Sequence, residues 1–244
     1  MPTLLLVRHG RTAANTGGLL AGRTPGVGLD ELGASQVAAL GRRLAPLPLV
    51  RVVASPLERC QATAAALLGV PGPEGAPRPA LETDEGLSEC DYGDWTGRPI
   101  AELVKEPLWP AVQAHPSSVV FPGGESMRGM QQRALDAVRR VDAEVAAQHG
   151  EHAVWAAVSH GDVIKAVLAD ALGVHLDAFQ RIVVDPASVS VVRYTALRPF
   201  AVRTNDTGGD VTSLLPPPPS HPGAPEAGPA SSDAVVGGGA GAAR

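Results

Sequence analysis

Four apolar residues, Leu4-Leu5-Leu6-Val7, end abruptly in Arg8-His9-Gly10. A short apolar run bounded by glycine predicts a buried strand, which sets the polar pair just beyond its carboxyl end. The same design returns late in the chain, where Ala153-Val154-Trp155-Ala156-Ala157-Val158 runs into Ser159-His160-Gly161-Asp162. Open α/β sheets bind ligands at the carboxyl ends of their strands. Two such edges would therefore bring two imidazoles to one end of one sheet. Residues 51–54 form another short apolar run, leading into Ser55-Pro56-Leu57-Glu58. That tetrad combines a capping serine, a proline for the first helical position and a glutamate three residues after the cap. It predicts a helix over 56–68, with Arg59 in the first turn facing the edge that carries His9.

Helical spacing also marks 34–44, after a turn-rich stretch over 22–33, and a long helix over about 125–148 closed by Gly150. A helix over 163–172, stopped by Gly173, follows His160 and places that imidazole near a helix start. Residues 81–83, 189–194 and 201–203 read as further strands, and 70–79 as a Gly/Pro-rich loop. Residues 88–99 hold Gly93 and Gly97 but no period, and read as an ordered loop. From 204 to 244 the character changes: residues 216–219 are all proline, 237–239 all glycine, and no aromatic residue remains. Such a segment cannot bury enough apolar surface to offset its ordering entropy. The expected organisation is one folded domain over 1–203 and a disordered Pro/Gly/Ala-rich tail over 204–244.

Composition narrows the function classes. The 244 residues are 44% hydrophobic and 18% charged, ordinary for a globular protein. A net charge of -5 gives no reason to expect a nucleic-acid partner. Cys60 and Cys90 cannot build a disulfide framework, and no charged leader precedes a cleavable apolar segment. No apolar run approaches the length that spans a bilayer. A soluble cytoplasmic protein without a membrane partner is the expectation.

The candidate chemistry lies in Arg8, His9, Asn15, Arg59, Glu89 and His160. A phosphoryl dianion needs donors dispersed around its equatorial oxygens, and guanidinium forks supply them in pairs. Asn15 adds an amide donor. His160 and Gly161, at a helix start, sit where backbone N–H groups and the helix dipole favour an anion. A neutral imidazole is a competent nucleophile, and His9 beside two cations resists protonation. Glu89 stands beside Leu87, Tyr92 and Trp95, which would desolvate it and raise its pKa; a solvated loop glutamate paired with Arg98 is the other reading. Two histidines and a carboxylate also suggest a metal, but flanking arginines repel a divalent cation and no clustered His/Cys spacing appears. No metal or cofactor is expected. Cys60 and Cys90 read as small packing residues, and Trp95, Trp109 and Trp155 as core. Glu125 and Ser126 either touch a substrate or open the helix that follows.

These residues reach a family. Leu6-Val7-Arg8-His9-Gly10-Arg11-Thr12 with Asn15 resembles the signature of the histidine phosphatase superfamily, which includes the phosphoglycerate mutases. Four further blocks recur in order: Ser55-Pro56-Leu57-Glu58-Arg59-Cys60-Gln61-Ala62-Thr63-Ala64, the run from Gly86 to Gly97 around Glu89, Phe121-Pro122-Gly123-Gly124-Glu125-Ser126, and Ser159-His160-Gly161-Asp162. Gly22-Arg23 and the run from Leu29 to Gln36 look like the segment entering the family's first helix. The resemblance implies a three-layer α/β/α sandwich with a mainly parallel sheet, phosphoglycerate mutase-like, and a phosphohistidine intermediate. It makes His9 the nucleophile, Glu89 the proton donor, and Arg8, Arg59 and His160 the phosphate pocket, with Asn15 and Gly161 contacting substrate. Arg11 and Thr96 depart from the common acidic residues at their positions, which leaves substrate choice open.

The expected activity is a metal-independent phosphomonoesterase acting on a small-molecule phosphate ester. Phosphomutase is the alternative, although 90–159 lacks the long basic insertion that phosphoglycerate mutases of this family use. A non-catalytic binding module is a third class, for which the proline run could recruit a partner. Retention of all five core residues speaks against it. The physiological substrate and the oligomeric state are not legible.

Overall fold

The computed structural model describes residues 2–74 and 79–209, together with Gly237 and Gly239. In chain order the strands are β1 (Thr3–Arg8), β2 (Leu49–Ala54), β3 (Leu81–Thr83), β4 (Val154–Ser159), β5 (Val189–Tyr194) and β6 (Pro199–Asp206). The helices are α1 (Ala13–Thr16), α2 (Glu31–Leu44), α3 (Glu58–Leu68), α4 (Ile100–Leu103), α5 (Trp109–Ala114), α6 (Met127–His149) and α7 (Gly161–Leu172). The sheet order is β3-β2-β4-β1-β5-β6. Strands β3, β2, β4 and β1 run parallel, and β5 is antiparallel to both its neighbours. This is the expected α/β sandwich with a mainly parallel sheet.

Alternation along β1 divides the core in two. Leu5 and Val7 pack with Val37 and Leu40 of α2 and with Cys60 and Ala64 of α3. Leu4 and Leu6 point the other way, into a larger cluster with Met130 and Val138 of α6 and Ile164 and Val167 of α7. Strands buried on both faces need no polar side, which is why their sequences are continuously apolar. Trp155 is fully buried, with its indole N–H donating to Asp142 at 2.9 Å, and Trp95 stacks on Trp109. Among the described residues no helix is long and apolar enough to cross a membrane.

Several element boundaries differ from the sequence reading. The tetrad at Ser55 does not cap a helix: α3 begins at Glu58, its cap Leu57 makes no side-chain bond, and Ser55 is turned toward the sheet edge. Helix α7 begins at Gly161, two residues earlier than its periodicity indicates, because His160 is the cap. Asp30 caps α2 by accepting from the Gly33 N–H at 2.7 Å, so that helix starts three residues early. The 88–99 segment holds a 3-10 turn at Gly93–Trp95. Strand β6 runs to Asp206, past the domain boundary read at 203, and Asp206 pairs with Val189 and binds Arg43. Most of the tail read as disordered lies outside the described residues. Gly237 does not, and it hydrogen-bonds at the sheet edge.

Candidate active site

Register decides what meets at the carboxyl edge. Arg8 of β1 lies opposite Ser159 of β4, and the His9 N–H donates to the Ser159 carbonyl at 3.0 Å. One residue beyond each strand, His9 and His160 are thereby neighbours, ring centroids 5.2 Å apart and edge to face. Next to them β2 delivers Ser55, and α3 delivers Arg59 from its first turn.

The His9 ring is oriented by its own backbone. Nδ1 lies 2.7 Å from the Gly10 carbonyl, which can only accept, so Nδ1 carries the proton and Nε2 the lone pair. Arg59 Nε donates to that Nε2 at 3.3 Å, while its Nη2 donates to the Gly22 carbonyl at 2.8 Å. Burial, then Arg59, then Arg8 hold the His9 pKa well below its ordinary value. His160 is depressed in the same way, by burial first and then by Arg59 and His9. Its Nε2 lies 2.8 Å from the Ser55 hydroxyl. Both imidazoles are therefore neutral at ordinary pH.

Two guanidiniums bring the positive charge. Arg8 is buried, donates from Nη1 to the Val184 carbonyl at 2.7 Å, and has its pKa lowered by burial to about 10. It remains a cation at neutral pH. Burial in this pocket strengthens its pull on an anion. Asn15 lines the same cavity, its Oδ1 accepting from the Thr12 backbone and hydroxyl, which turns its amide donors the other way. The first-turn N–H groups of α7, starting at Gly161, lack intrahelical partners and end at this edge.

Glu89 is buried, and its pKa is raised to about 7, by desolvation first and by Asp162 second. Its Oε1 accepts from the Cys90 N–H at 2.9 Å. Arg98 is not its partner; it pairs with Glu106. The loop carrying Glu89 is gripped by Arg133 of α6, which donates to the Gly86, Ser88 and Glu89 carbonyls at 2.8, 2.7 and 3.0 Å. Glu125 ties Arg133 and Arg23 together and accepts from the Asp91 N–H, while Ser126 caps α6. Glu125 thus clamps the loop. Asp162, fully buried, accepts from the Tyr92 hydroxyl at 2.8 Å and from the Gly237 N–H at 3.0 Å. Burial pushes the Cys60 thiol up to about 12, so it is inert packing beside His160.

All seven site residues read from the sequence converge here, five of them (His9, Arg8, Arg59, Glu89 and His160) essentially excluded from solvent. Sequence reasoning passed over Ser55, whose helix-start signal masked its contact with His160. It also passed over Arg133, a helix residue 44 positions from Glu89 with no local signal. Among the described residues no group of three His, Cys, Asp or Glu side chains is placed to hold a metal ion.

Two neutral histidines, two buried arginines and a buried carboxyl thus meet at one edge of an α/β sandwich. The chain belongs to the histidine phosphatase superfamily (branch 1), whose profile matches residues 4–207. The bifunctional protein Rv2228c of Mycobacterium tuberculosis is 33% identical over 210 residues, which are 84% of this chain and 54% of that protein. The chain spans about half the length of the curated relatives it matches first. Among solved structures, Bacillus stearothermophilus YhfR is similar with a TM-score of 0.74 at 27% identity, covering 84% of this chain and 98% of that one. The alpha-ribazole phosphatase of Shigella flexneri gives 0.71 at 25% identity, covering 86% and 98%.

Proposed function

We propose that the chain is a metal-independent phosphomonoester hydrolase working through a phosphohistidine on His9, with Glu89 as proton donor. The observation that carries the reading is the His9 ring: its proton is fixed on the Gly10 side, so a basic nitrogen faces the cavity beside Arg59. In the first step the Nε2 lone pair forms a bond to phosphorus and the ester P–O bond breaks. The leaving oxygen keeps that electron pair and takes the proton of Glu89. Arg8, Arg59, neutral His160, Asn15 and the Gly161 N–H hold the three equatorial oxygens as charge develops. In the second step a water gives its proton to the Glu89 carboxylate and its oxygen to phosphorus. The N–P bond breaks, and inorganic phosphate leaves with His9 and Glu89 restored. A pKa near 7 lets one carboxyl serve as acid and then as base.

The test is p-nitrophenyl phosphate turnover in excess chelator, with labelled ester and an alkaline quench to trap the intermediate. Native protein should release inorganic phosphate and retain an acid-labile label; His9→Ala should do neither while keeping its fold. Equal labelling of the variant would mean that another residue is the nucleophile. Loss of turnover restored by magnesium would mean a metal enzyme. Transfer of the label to a second alcohol in preference to water would mean a phosphomutase.

A further inference from the structure

The residues that hold phosphate occupy only the floor of the cavity, and its outer wall has a different character. The cavity has a volume of about 250 Å³. Above His9, Arg59 and Glu89 the wall is formed by Leu19, Leu20, Ala21 and Ile100 with the buried Tyr92 ring, and closed on one side by the backbone of Gly237. Leu19 is 41% exposed, a large apolar side chain left open to solvent at the mouth.

This wall is built rather than loose. The 18–22 loop is zipped to the segment before α4 by three backbone hydrogen bonds. Leu20 N–H donates to the Arg98 carbonyl at 3.0 Å, Gly97 N–H to the Leu20 carbonyl at 2.7 Å and Ile100 N–H to the Gly18 carbonyl at 2.8 Å; the first and last of these set Leu19 opposite Pro99 in an antiparallel bridge. Leu19 and Ile100 are thereby fixed on one rim. The arginines that border the rim in sequence are each committed to a carboxylate: Arg11 to Asp30 at 2.8 Å, Arg23 to Glu125 at 3.0 Å and Arg98 to Glu106 at 2.7 Å.

We propose that Leu19 and Ile100 select monoesters whose leaving alcohol is uncharged and apolar along its length, and reject those carrying a second anion. This rests on the hydrolase reading above. An anion entering this rim would lose water and find an apolar wall, with each bordering guanidinium already neutralised; desolvation without a partner opposes it. An alkyl or aryl group would bury surface against Leu19, Leu20 and Ile100 and be favoured in proportion to the area covered. Size agrees: a cavity of about 150 Å³ accommodates benzene. The larger volume here holds a six-membered ring or a short alkyl chain together with the phosphoryl group. Phosphoglycerates, phosphoamino acids and bisphosphates fall outside this class, and monophosphates of apolar alcohols fall within it.

The test uses the full chain and two esters of equal leaving-group basicity: hexyl phosphate, and the same six-carbon chain ending in a carboxylate. For the native protein, kcat/KM should favour hexyl phosphate by at least about thirtyfold. Leu19→Arg and Ile100→Arg, made separately, should each shrink that ratio by about tenfold or more, since each places a cation where the carboxylate would lie. Leu19→Ala should lower kcat/KM for hexyl phosphate by about tenfold, the scale of a lost apolar contact, and change the carboxylate ester less. A native ratio near one, or ratios unmoved in all three variants, would overturn the proposal. If both chain esters fail while p-nitrophenyl phosphate still labels His9, the specificity proposal is wrong and the hydrolase reading stands. If no ester labels His9, the hydrolase reading itself has failed.

Discussion

At the scale of the residue, the sharpest consequence belongs to Glu89. Its carboxyl holds a proton up to about pH 7 in the folded protein, against about 4.3 in an unfolded chain. The folded state binds more protons between those values. The stabilisation from this group is therefore complete below pH 4.3 and is lost as pH rises through about 7. Glu89→Gln removes that dependence. Melting curves should show the variant gaining on the native protein between pH 5 and pH 8, by up to about 3 kcal/mol. On the proposed mechanism catalysis has the same sign: kcat/KM should fall above about pH 7, because the proposed donor has lost its proton while His9 stays neutral. In single-turnover experiments Glu89→Gln should cost an alkyl phosphate about 10²–10⁴-fold and p-nitrophenyl phosphate far less, since a phenolate departs without a proton. Equal losses for both leaving groups would return the donor role to Asp162 or another carboxylate.

At the scale of the element, the site depends on how closely α2 approaches the turn after β1. A Cβ on Gly33 would lie 2.0 Å from the Arg11 carbonyl oxygen, and one on Gly10 would lie 2.7 Å from the Gly33 carbonyl oxygen. Both obstacles are backbone and cannot swing aside. Gly33 is in the first turn of α2, where glycine to alanine ordinarily gains up to about 1 kcal/mol. Here Gly33→Ala should instead cost about 2 kcal/mol or more, as overpacking does. The turn that carries His9 should shift with it and lower kcat. Urea unfolding alongside turnover checks both; a stabilised, fully active variant would show that the helix can move away without consequence. Helix α6 has the corresponding role for Glu89, since Arg133 binds the Gly86, Ser88 and Glu89 carbonyls of its loop through one rigid guanidinium.

At the scale of the whole molecule, the last strand reaches the site from the far edge of the sheet. Asn205 receives the Asp185 N–H at 2.6 Å and donates to its carboxylate at 2.8 Å, and Arg43 of α2 binds Asp206. Asp185 belongs to the turn whose Val184 carbonyl holds Arg8 and whose Ala187 N–H donates to the His9 carbonyl. Truncation after Arg203 should therefore lower the melting temperature by several degrees and kcat/KM by about tenfold, an effect of about 1.4 kcal/mol on the transition state. Truncation after Gly209 should spare the melting temperature. It removes the Gly237 contacts to Asp162 at 3.0 Å and Arg8 at 3.4 Å, and kcat/KM should move by no more than about fivefold, the scale of one ordinary hydrogen bond. Identical behaviour of the two truncated proteins would show that β6 does not brace the site.

The sequence by itself determined the strands, the long helices and the candidate residues for chemistry, because each is written locally. Runs such as Leu4–Val7 and Val154–Val158 are apolar without a break since both faces of their strands are covered. A histidine and a glycine end each run, and Glu89 sits among apolar neighbours. Tertiary structure alone decided the rest. That His9 and His160 touch follows from the pairing of Arg8 with Ser159, a register 151 residues apart in the chain that no local pattern encodes. Ser55 carried every signal of a helix cap, yet the bond to His160 and the start of α3 at Glu58 gave it a different partner. Arg133 lies on a helix whose periodicity marks which face is buried but not which carbonyls its guanidinium will meet. The upward shift of Glu89 and the downward shifts of both histidines are properties of burial and of charges brought from separate elements, and they exist only once the layers have closed.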